Sequence, residues 1–417
     1  MELYCKLIMV TQNNNNKYYE MKYEGGDTFT VIYGRVDQSS TVISKPFKEW
    51  DKIKNSKLKK GYKDVSSKSV SSIESNEREI ENKSIKEFIH KMRAYTNLLV
   101  SNTYSVNAKE VSSSQISNAQ KLLNKISSMD MDENVDEINE LLILLYTCIP
   151  RKIKNVKKCI LPYIDIKQTI IQEQDNLDAL SSQLKKNVSQ NDKINNILNV
   201  HFSKFLEEAS SSFNIDVCKL KSILNEDKTF LEMIGITMDN LKEETNEINY
   251  IIDQLQKLNK KFKIYTVQRF QEEEPFNRYI SESVSKKTRL LIHGTRCSSV
   301  IPILQTGLKI RPATSVHFSG KVYGEGNYFS EHVQKSLNYT GWDNDQILLI
   351  YEVHVGNEYI YEGWYNGDRG IKLNYNELLQ NGYNSTYVKA GNGLQNSEII
   401  SYNEDQSKIK YIIHITK

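Results

Sequence analysis

The spacing of apolar residues changes period twice along the chain, which restricts it to an assembly of unlike domains. Up to about residue 65 the pattern is β-like: residues 4–10 and 17–23 flank the polar tract Gln12–Asn16, the expected tip of a hairpin. Glu24-Gly25-Gly26-Asp27 forms a second turn leading into Thr28–Val36, a run rich in β-branched and aromatic residues. Lys48–Lys63 holds seven lysines against two acids, and Trp50, Ile53 and Leu58 give it a partial apolar stripe, so a helix lying on a small sheet is expected. From about Ser84 the period becomes helical. Phe88, Met92 and Tyr95 form one stripe, Leu122, Leu123 and Ile126 a second, and Ile138, Leu141, Leu142, Leu145 and Ile149 a third that Pro150 closes. Beyond about Asn196 the pattern is mixed. Residues near 216–262 read as helical, and β-type runs follow at 262–269, 289–293, 346–355, 358–361 and 408–416.

A chain of 417 residues is too long for one ordinary core, and two or three domains are expected. The boundaries read as a β-rich domain over 1–70, a linker over 71–83, a bundle of five or six helices over 84–190, and a mixed β domain over 196–417. A net charge of +3 is too mild to imply a nucleic-acid partner by itself, so any basic surface must be local. The five cysteines are scattered with no C-x-x-C pair, which supports neither a metal site nor a disulfide framework. The N-terminus lacks a basic segment before an apolar core, and no run of 18 apolar residues occurs. An intracellular protein without a membrane segment is expected.

Chemistry concentrates in four stretches of the C-terminal half. Arg289–Ile292 is an apolar strand ending in His293-Gly294-Thr295, and Gly307-Leu308-Lys309-Ile310-Arg311-Pro312 is a turn after a helix-like segment. Tyr323-Gly324-Glu325-Gly326-Asn327-Tyr328-Phe329-Ser330 is a glycine-rich turn entering a strand, with Lys335-Ser336-Leu337-Asn338-Tyr339 on a following helix. Ser397-Glu398-Ile399-Ile400 sets a carboxylate at the head of a short apolar strand. Each stretch alone has an ordinary structural reading: a strand end, a half-buried tyrosine, an edge-strand charge. The Gly324-x-Gly326 pair lacks the strand, G-x-G-x-x-G and helix of a dinucleotide-binding fold, which excludes a Rossmann reading.

In this order the four stretches resemble the catalytic domain of the poly(ADP-ribose) polymerases, from about residue 200 to the C-terminus. The resemblance implies NAD⁺ as substrate, without a metal, bound in the cleft of an antiparallel β-sandwich-like core. Breaking the nicotinamide–ribose bond builds oxocarbenium-like charge, as glycoside hydrolysis does, so the site must clamp the leaving group and stabilise a cation. The family pattern assigns Gly294 backbone groups and the Ser336 hydroxyl to the carboxamide, Tyr339 to stacking on the nicotinamide and Tyr328 to the opposite wall. It assigns His293 to an adenosine ribose hydroxyl, Glu398 to catalysis, Lys335 to the acceptor side, and Lys309 and Arg311 to the adenosine and pyrophosphate side.

Upstream, Asn16–Met21 followed by Tyr33-Gly34-Arg35-Val36, with Lys60-Gly61-Tyr62, resembles a WGR domain whose tryptophan is Tyr33 here. That implies contacts of Tyr33, Arg35, Lys57, Lys59 and Lys60 with damaged DNA ends or nicks. Phe88–Met92 and Leu145–Pro150 resemble the family's regulatory domain, implying a bundle that inhibits until DNA binding loosens it. The expectation is an α+β multidomain protein: a small β-rich WGR-like domain, an all-α regulatory bundle and a mixed antiparallel ADP-ribosyltransferase β-core. Protein acceptors including the chain itself, and a nuclear location, follow from the resemblance only. A mono-ADP-ribosyltransferase and a catalytically silent DNA-end-binding scaffold remain alternatives.

Overall fold

The computed structural model describes residues 3–36, 38–66, 77–130, 133–184, 228–242, 246–310, 323–341, 343–363, 373–391 and 394–416. The N-terminal part is a five-stranded antiparallel sheet of order β4-β3-β2-β1-β5, built from β1 (Leu3–Thr11), β2 (Asn15–Tyr23), β3 (Thr28–Arg35), β4 (Ser40–Pro46) and β5 (Lys63–Asp64). Helix α1 (Trp50–Lys59) covers one face, where Cys5, Leu7, Met21, Phe29, Val31 and Trp50 are buried. The opposite face is also used, because Ile8 and Val10 enter the core of the helical bundle. Both faces of β1 are therefore covered, which explains its nearly unbroken apolar run. The β1–β2 hairpin forms as expected, with Asn14 at φ 61° in its turn. Strand β4 was not foreseen: it is a mostly exposed edge strand of polar residues ending in Pro46, and no buried alternation marks it.

The bundle comprises α2 (Lys83–Thr103), α3 (Ser113–Ser127), α4 (Val135–Cys148) and α5 (Ile166–Gln183). Side-chain caps set the starts of three of these: Asn82 accepts from Ser84 and Ile85 N–H, Ser112 forms a capping box with Gln115, and Asp165 accepts from Gln168 N–H. Four α-helices stand among the described residues where five or six were expected; residues 185–190 lie outside them. Inside the bundle, Arg151 is buried and donates to Glu173 of α5 at 2.6 Å, with its guanidinium 4.1 Å from the Tyr104 ring centre.

The C-terminal part holds two sheets. Five antiparallel strands run in the order β6-β7-β14-β10-β8: β6 (Ile236–Asn240), β7 (Lys261–Arg269), β8 (Thr288–Thr295), β10 (Asp345–His354) and β14 (Ser407–Thr416). The second sheet, β11-β12-β13-β9, contains β9 (Asn327–Phe329), β11 (Glu358–Tyr361), β12 (Ser385–Val388) and β13 (Glu398–Ser401). The expected antiparallel arrangement holds except for β11 and β12, which pair parallel. The flanking helices are α6 (Phe230–Met233), α7 (Asn246–Lys257), α8 (Phe270–Glu282), α9 (Cys297–Thr306), α10 (Val333–Leu337) and α11 (Tyr375–Gln380). The helical expectation for 216–262 fails at Ile236–Asn240, an alternating strand registered against β7; residues 216–227 lie outside the described set.

One helix of the bundle is part of this C-terminal core. Ile85, Phe88, Ile89 and Met92 of α2 are buried in one cluster with Leu291, Val300, Ile301, Ile347, Leu349 and Tyr351. The end of the expected linker is likewise held there, since Arg78 pairs with Glu232 at 3.0 Å and Glu77 with Arg93 of α2 at 3.0 Å.

Candidate active site

The two C-terminal sheets meet at one point, and the candidate residues gather around it. Ile292 and Ser330 exchange backbone hydrogen bonds of 2.9 Å in each direction, stitching the end of β8 to the strand carrying Tyr328. Strand β9 pairs with β13, which sets Tyr328 opposite Ile400 and leaves Glu398 at the head of its strand. Two glycines allow the close packing. A Cβ on Gly294 would lie 1.8 Å from the Ser336 carbonyl oxygen, and one on Gly326 would lie 2.5 Å from the Ser401 carbonyl oxygen. Neither position accepts a side chain without moving backbone.

These residues surround a cavity of about 790 Å³, within the size range of small-molecule sites. His293, Gly294, Tyr328, Lys335, Ser336, Tyr339, Glu398 and Lys309 all line it. Segments more than a hundred residues apart thus contribute to one cavity. Arg311, also expected there, lies outside the described residues.

The His293 ring is held by Nδ1, 3.0 Å from the Tyr328 carbonyl oxygen. A carbonyl only accepts, so Nδ1 carries the proton and Nε2 is left as an acceptor. Burial pushes the His293 pKa below the usual histidine value, which keeps the ring neutral at physiological pH. The Tyr328 hydroxyl donates to the Gly324 carbonyl at 2.8 Å and accepts from Tyr323 N–H at 3.0 Å. Burial drives its pKa well above the ordinary tyrosine value. Tyr328 is therefore a fixed, neutral wall. Ser336 is buried on α10 with its hydroxyl 3.4 Å from the Ile292 carbonyl oxygen. Tyr339 lies just past the C-terminus of α10, in a turn and half exposed at the cavity.

The catalytic candidate is paired. Lys335 Nζ lies 2.7 Å from Glu398 Oε1 and also donates to the Asn396 carbonyl at 3.1 Å, with both side chains nearly buried. Such a pair fixes the orientation of the carboxylate. Lys309 is tied to Glu404, whose other oxygen accepts from Ile310 N–H at 3.0 Å.

One wall of the cavity comes from the helical bundle. Gln168, Ile171, Gln174, Asp175 and Asp178 of α5 line it. Arg296, directly after His293-Gly294-Thr295, donates to Gln172 Oε1 at 2.8 Å and to Asp175 Oδ2 at 3.3 Å. None of these residues was anticipated. Apart from Ile171 the α5 residues are ordinary polar helix residues in sequence, and only Arg296's place beside His293 could have drawn attention.

The DNA-facing candidates gather in part. Tyr33 stacks on Tyr19, ring centres 5.6 Å apart, and Lys57 Nζ sits 3.9 Å from the Tyr19 ring centre. Burial first, then Lys60 and Lys17 nearby, lower the Lys57 pKa. Lys59 and Lys60 are exposed at the end of α1. Arg35 is half-buried and donates to the Asn14 carbonyl in the hairpin turn.

Two sheets thus enclose a cleft on which a histidine, a tyrosine and a glutamate converge. The model of the poly(ADP-ribose) polymerase catalytic domain matches residues 242–417. The chain is 98% identical over 181 residues to the putative poly [ADP-ribose] polymerase-like 100L of Invertebrate iridescent virus 6, covering 43% of this chain and all of that protein. It is 99% identical over 234 residues to the uncharacterized protein 101L of the same virus, covering 56% of this chain and all of that protein. It is 29% identical over 227 residues to poly [ADP-ribose] polymerase 2 of Arabidopsis thaliana, covering 48% of this chain and 33% of that enzyme. The chain belongs to the poly(ADP-ribose) polymerase family, whose catalytic domain uses NAD⁺ as its ADP-ribose donor.

Proposed function

We propose that the chain transfers ADP-ribose from NAD⁺ to protein acceptors, itself included, and extends the product into polymer. DNA ends or nicks bound by the N-terminal domain stimulate it, and the bundle restrains it. The observation that carries the reading is the convergence of His293, Tyr328 and the Lys335–Glu398 pair on one cavity.

The residues suit the chemistry. Gly294 backbone groups and the Ser336 hydroxyl take the nicotinamide carboxamide, while Tyr339 and Tyr328 flank the ring. His293 Nε2 accepts from a ribose hydroxyl. As nicotinamide departs, Glu398 stabilises the positive charge at the sugar carbon and orients the attacking acceptor hydroxyl. Lys335 holds the Glu398 carboxylate in place for that task. Restraint by the bundle is favoured by the α5 wall of the cavity. Stimulation by DNA is favoured by the cluster of Tyr33, Tyr19 and Lys57 beside the exposed Lys59 and Lys60, which offers stacking and phosphate contacts together.

The test is incubation of the full chain with labelled NAD⁺, with and without nicked DNA, followed by gel separation. A DNA-stimulated ladder is expected, and Glu398→Gln should lower the rate by about 10²–10³, as loss of one positioned electrostatic group does. Full-length polymer from that variant would overturn the Glu398 assignment. A single-unit shift would replace polymer synthesis by mono-ADP-ribosylation, and DNA binding without incorporation would leave a scaffold.

A further inference from the structure

The loop joining α4 to α5 concentrates positive charge that the catalytic site does not use. Residues 151–158 read Arg-Lys-Ile-Lys-Asn-Val-Lys-Lys, and no acid stands between Leu141 and Ile164. Arg151 is buried and neutralised by Glu173. Lys152, Lys154, Lys157 and Lys158 are exposed, and among the described residues none of the four has a carboxylate partner.

A run of lysines is ordinarily a solvated, pliant segment. This one is held still. Lys152 N–H donates to the Thr103 carbonyl at 2.8 Å, and Asn155 caps the turn Val156–Cys159 by accepting from Lys157 N–H at 3.1 Å. Val156 is buried in the bundle core. The remaining ties come from the N-terminal sheet. Asn16 Nδ2 donates to the carbonyls of Arg151 at 3.1 Å and Ile153 at 3.0 Å, and Asn14 Oδ1 accepts from Val156 N–H at 2.9 Å. Both asparagines belong to the β1–β2 hairpin, whose stretch Thr11–Tyr19 also lacks acids.

The hairpin turn joins this loop to the DNA-facing candidates. Arg35 donates to the Asn14 carbonyl, so Asn14 stands between Arg35 and Val156. Lys152 lines a cavity of about 290 Å³ together with Val36 and Gln38, just past the end of β3. The acid lining that cavity, Glu20, is paired with Lys22 at 3.0 Å, and its second lysine, Lys6, with Glu110 at 3.4 Å. Lys152 therefore supplies the net charge there.

We infer that the bundle loop is part of the nucleic-acid surface: Lys152, Lys154, Lys157 and Lys158 bind backbone phosphates of the same DNA that Tyr33, Arg35, Lys57, Lys59 and Lys60 engage. Lysine acts as a point charge, so these contacts position the duplex and read no sequence. A loop already fixed by the hairpin loses little freedom on binding. DNA is favoured over other polyanions because the loop continues from Arg35 through Asn14. The inference rests on the DNA contacts proposed above for the N-terminal domain.

The test is titration of the full-length protein with a nicked duplex at several salt concentrations. Lys152→Gln, Lys154→Gln, Lys157→Gln and Lys158→Gln together should remove about two phosphate contacts. Binding should weaken about thirtyfold at about 150 mM salt, and the log–log salt slope should become shallower by about two, equally for duplexes of different sequence. Asn14→Gly keeps every lysine and suits the positive φ of the turn, but releases Val156 N–H, and should weaken binding about threefold with the slope nearly unchanged. Unchanged affinity and slope in the fourfold variant, while Lys59→Gln with Lys60→Gln weakens binding, overturns the role of the bundle loop and leaves the N-terminal DNA reading standing. Should the fourfold variant fail to fold, unchanged affinity in Asn14→Gly overturns it. No DNA binding by the unaltered protein overturns both readings. Loss of binding to single-stranded RNA or to phosphatidylserine vesicles, with DNA binding intact, also overturns the inference and assigns the loop to another polyanion.

Discussion

Helices α2 and α5 belong to one bundle yet meet the C-terminal part in opposite ways. α2 gives its apolar face to the catalytic core, with Phe88 against Tyr265 and Met92 fully buried. Its polar side is locked to a buried carboxylate: Asp345 is held by Lys91 at 2.8 Å, Tyr95 at 2.7 Å and His414 at 2.6 Å. α5 instead reaches the same part along α9 and through polar contacts at Arg296 and Gln305, and lines the cavity. The difference teaches that the bundle is not a detachable cap. Removing all of residues 84–190 would strip apolar surface from the catalytic core, whereas α5 keeps its own apolar face, Ile166, Ile170, Leu177 and Leu180, in the bundle core and turns its other side to the cavity.

This contrast can be broken in order of effect. Phe88→Ala should destabilise the C-terminal part by about 3–5 kcal/mol, read from denaturant melts, because it empties a core position. A loss below about 1 kcal/mol would contradict the anchoring of α2. Asp345→Ala removes the acceptor shared by Lys91, Tyr95 and His414 and should cost about 1–3 kcal/mol, the scale for leaving buried hydrogen-bonding groups without a partner. Gln172→Ala on α5 should cost under about 1 kcal/mol while raising basal NAD⁺ consumption.

A pH effect sharpens the comparison. Burial lifts the Asp175 carboxyl to about 6, opposed by Arg296 and assisted by Asp178; in the unfolded chain it returns to the ordinary carboxylate range. The folded state therefore binds this proton more tightly, and Asp175 costs stability as pH rises from that range through about 6. Denaturant melts between about pH 4 and pH 8 check this, and Asp175→Asn should flatten that part of the dependence.

Much of the site was legible because its chemistry needs particular residues at strand ends and turns. His293 closes β8, Tyr328 follows the glycine-rich turn and Glu398 heads β13, all as the motifs imply. The strands at 261–269, 345–354 and 407–416 follow from their apolar runs. What stayed hidden depended on tertiary placement. The cavity-facing side of α5 carries mostly glutamine and aspartate around Ile171, which read as a solvated helix face until the opposite wall is known. The anchoring of α2 has the same origin, since an apolar stripe says that a face is buried but not against what. Strand β4 was missed because an exposed edge strand needs no apolar alternation.

Amide hydrogen exchange on the full chain, with and without saturating ADP-ribose, tests the central claim most directly. Ligand should change exchange along α5 (residues 166–183), which lines the cavity, while α2 (residues 83–103) stays as it was. An equal change in both helices, or no change along α5, would contradict the account.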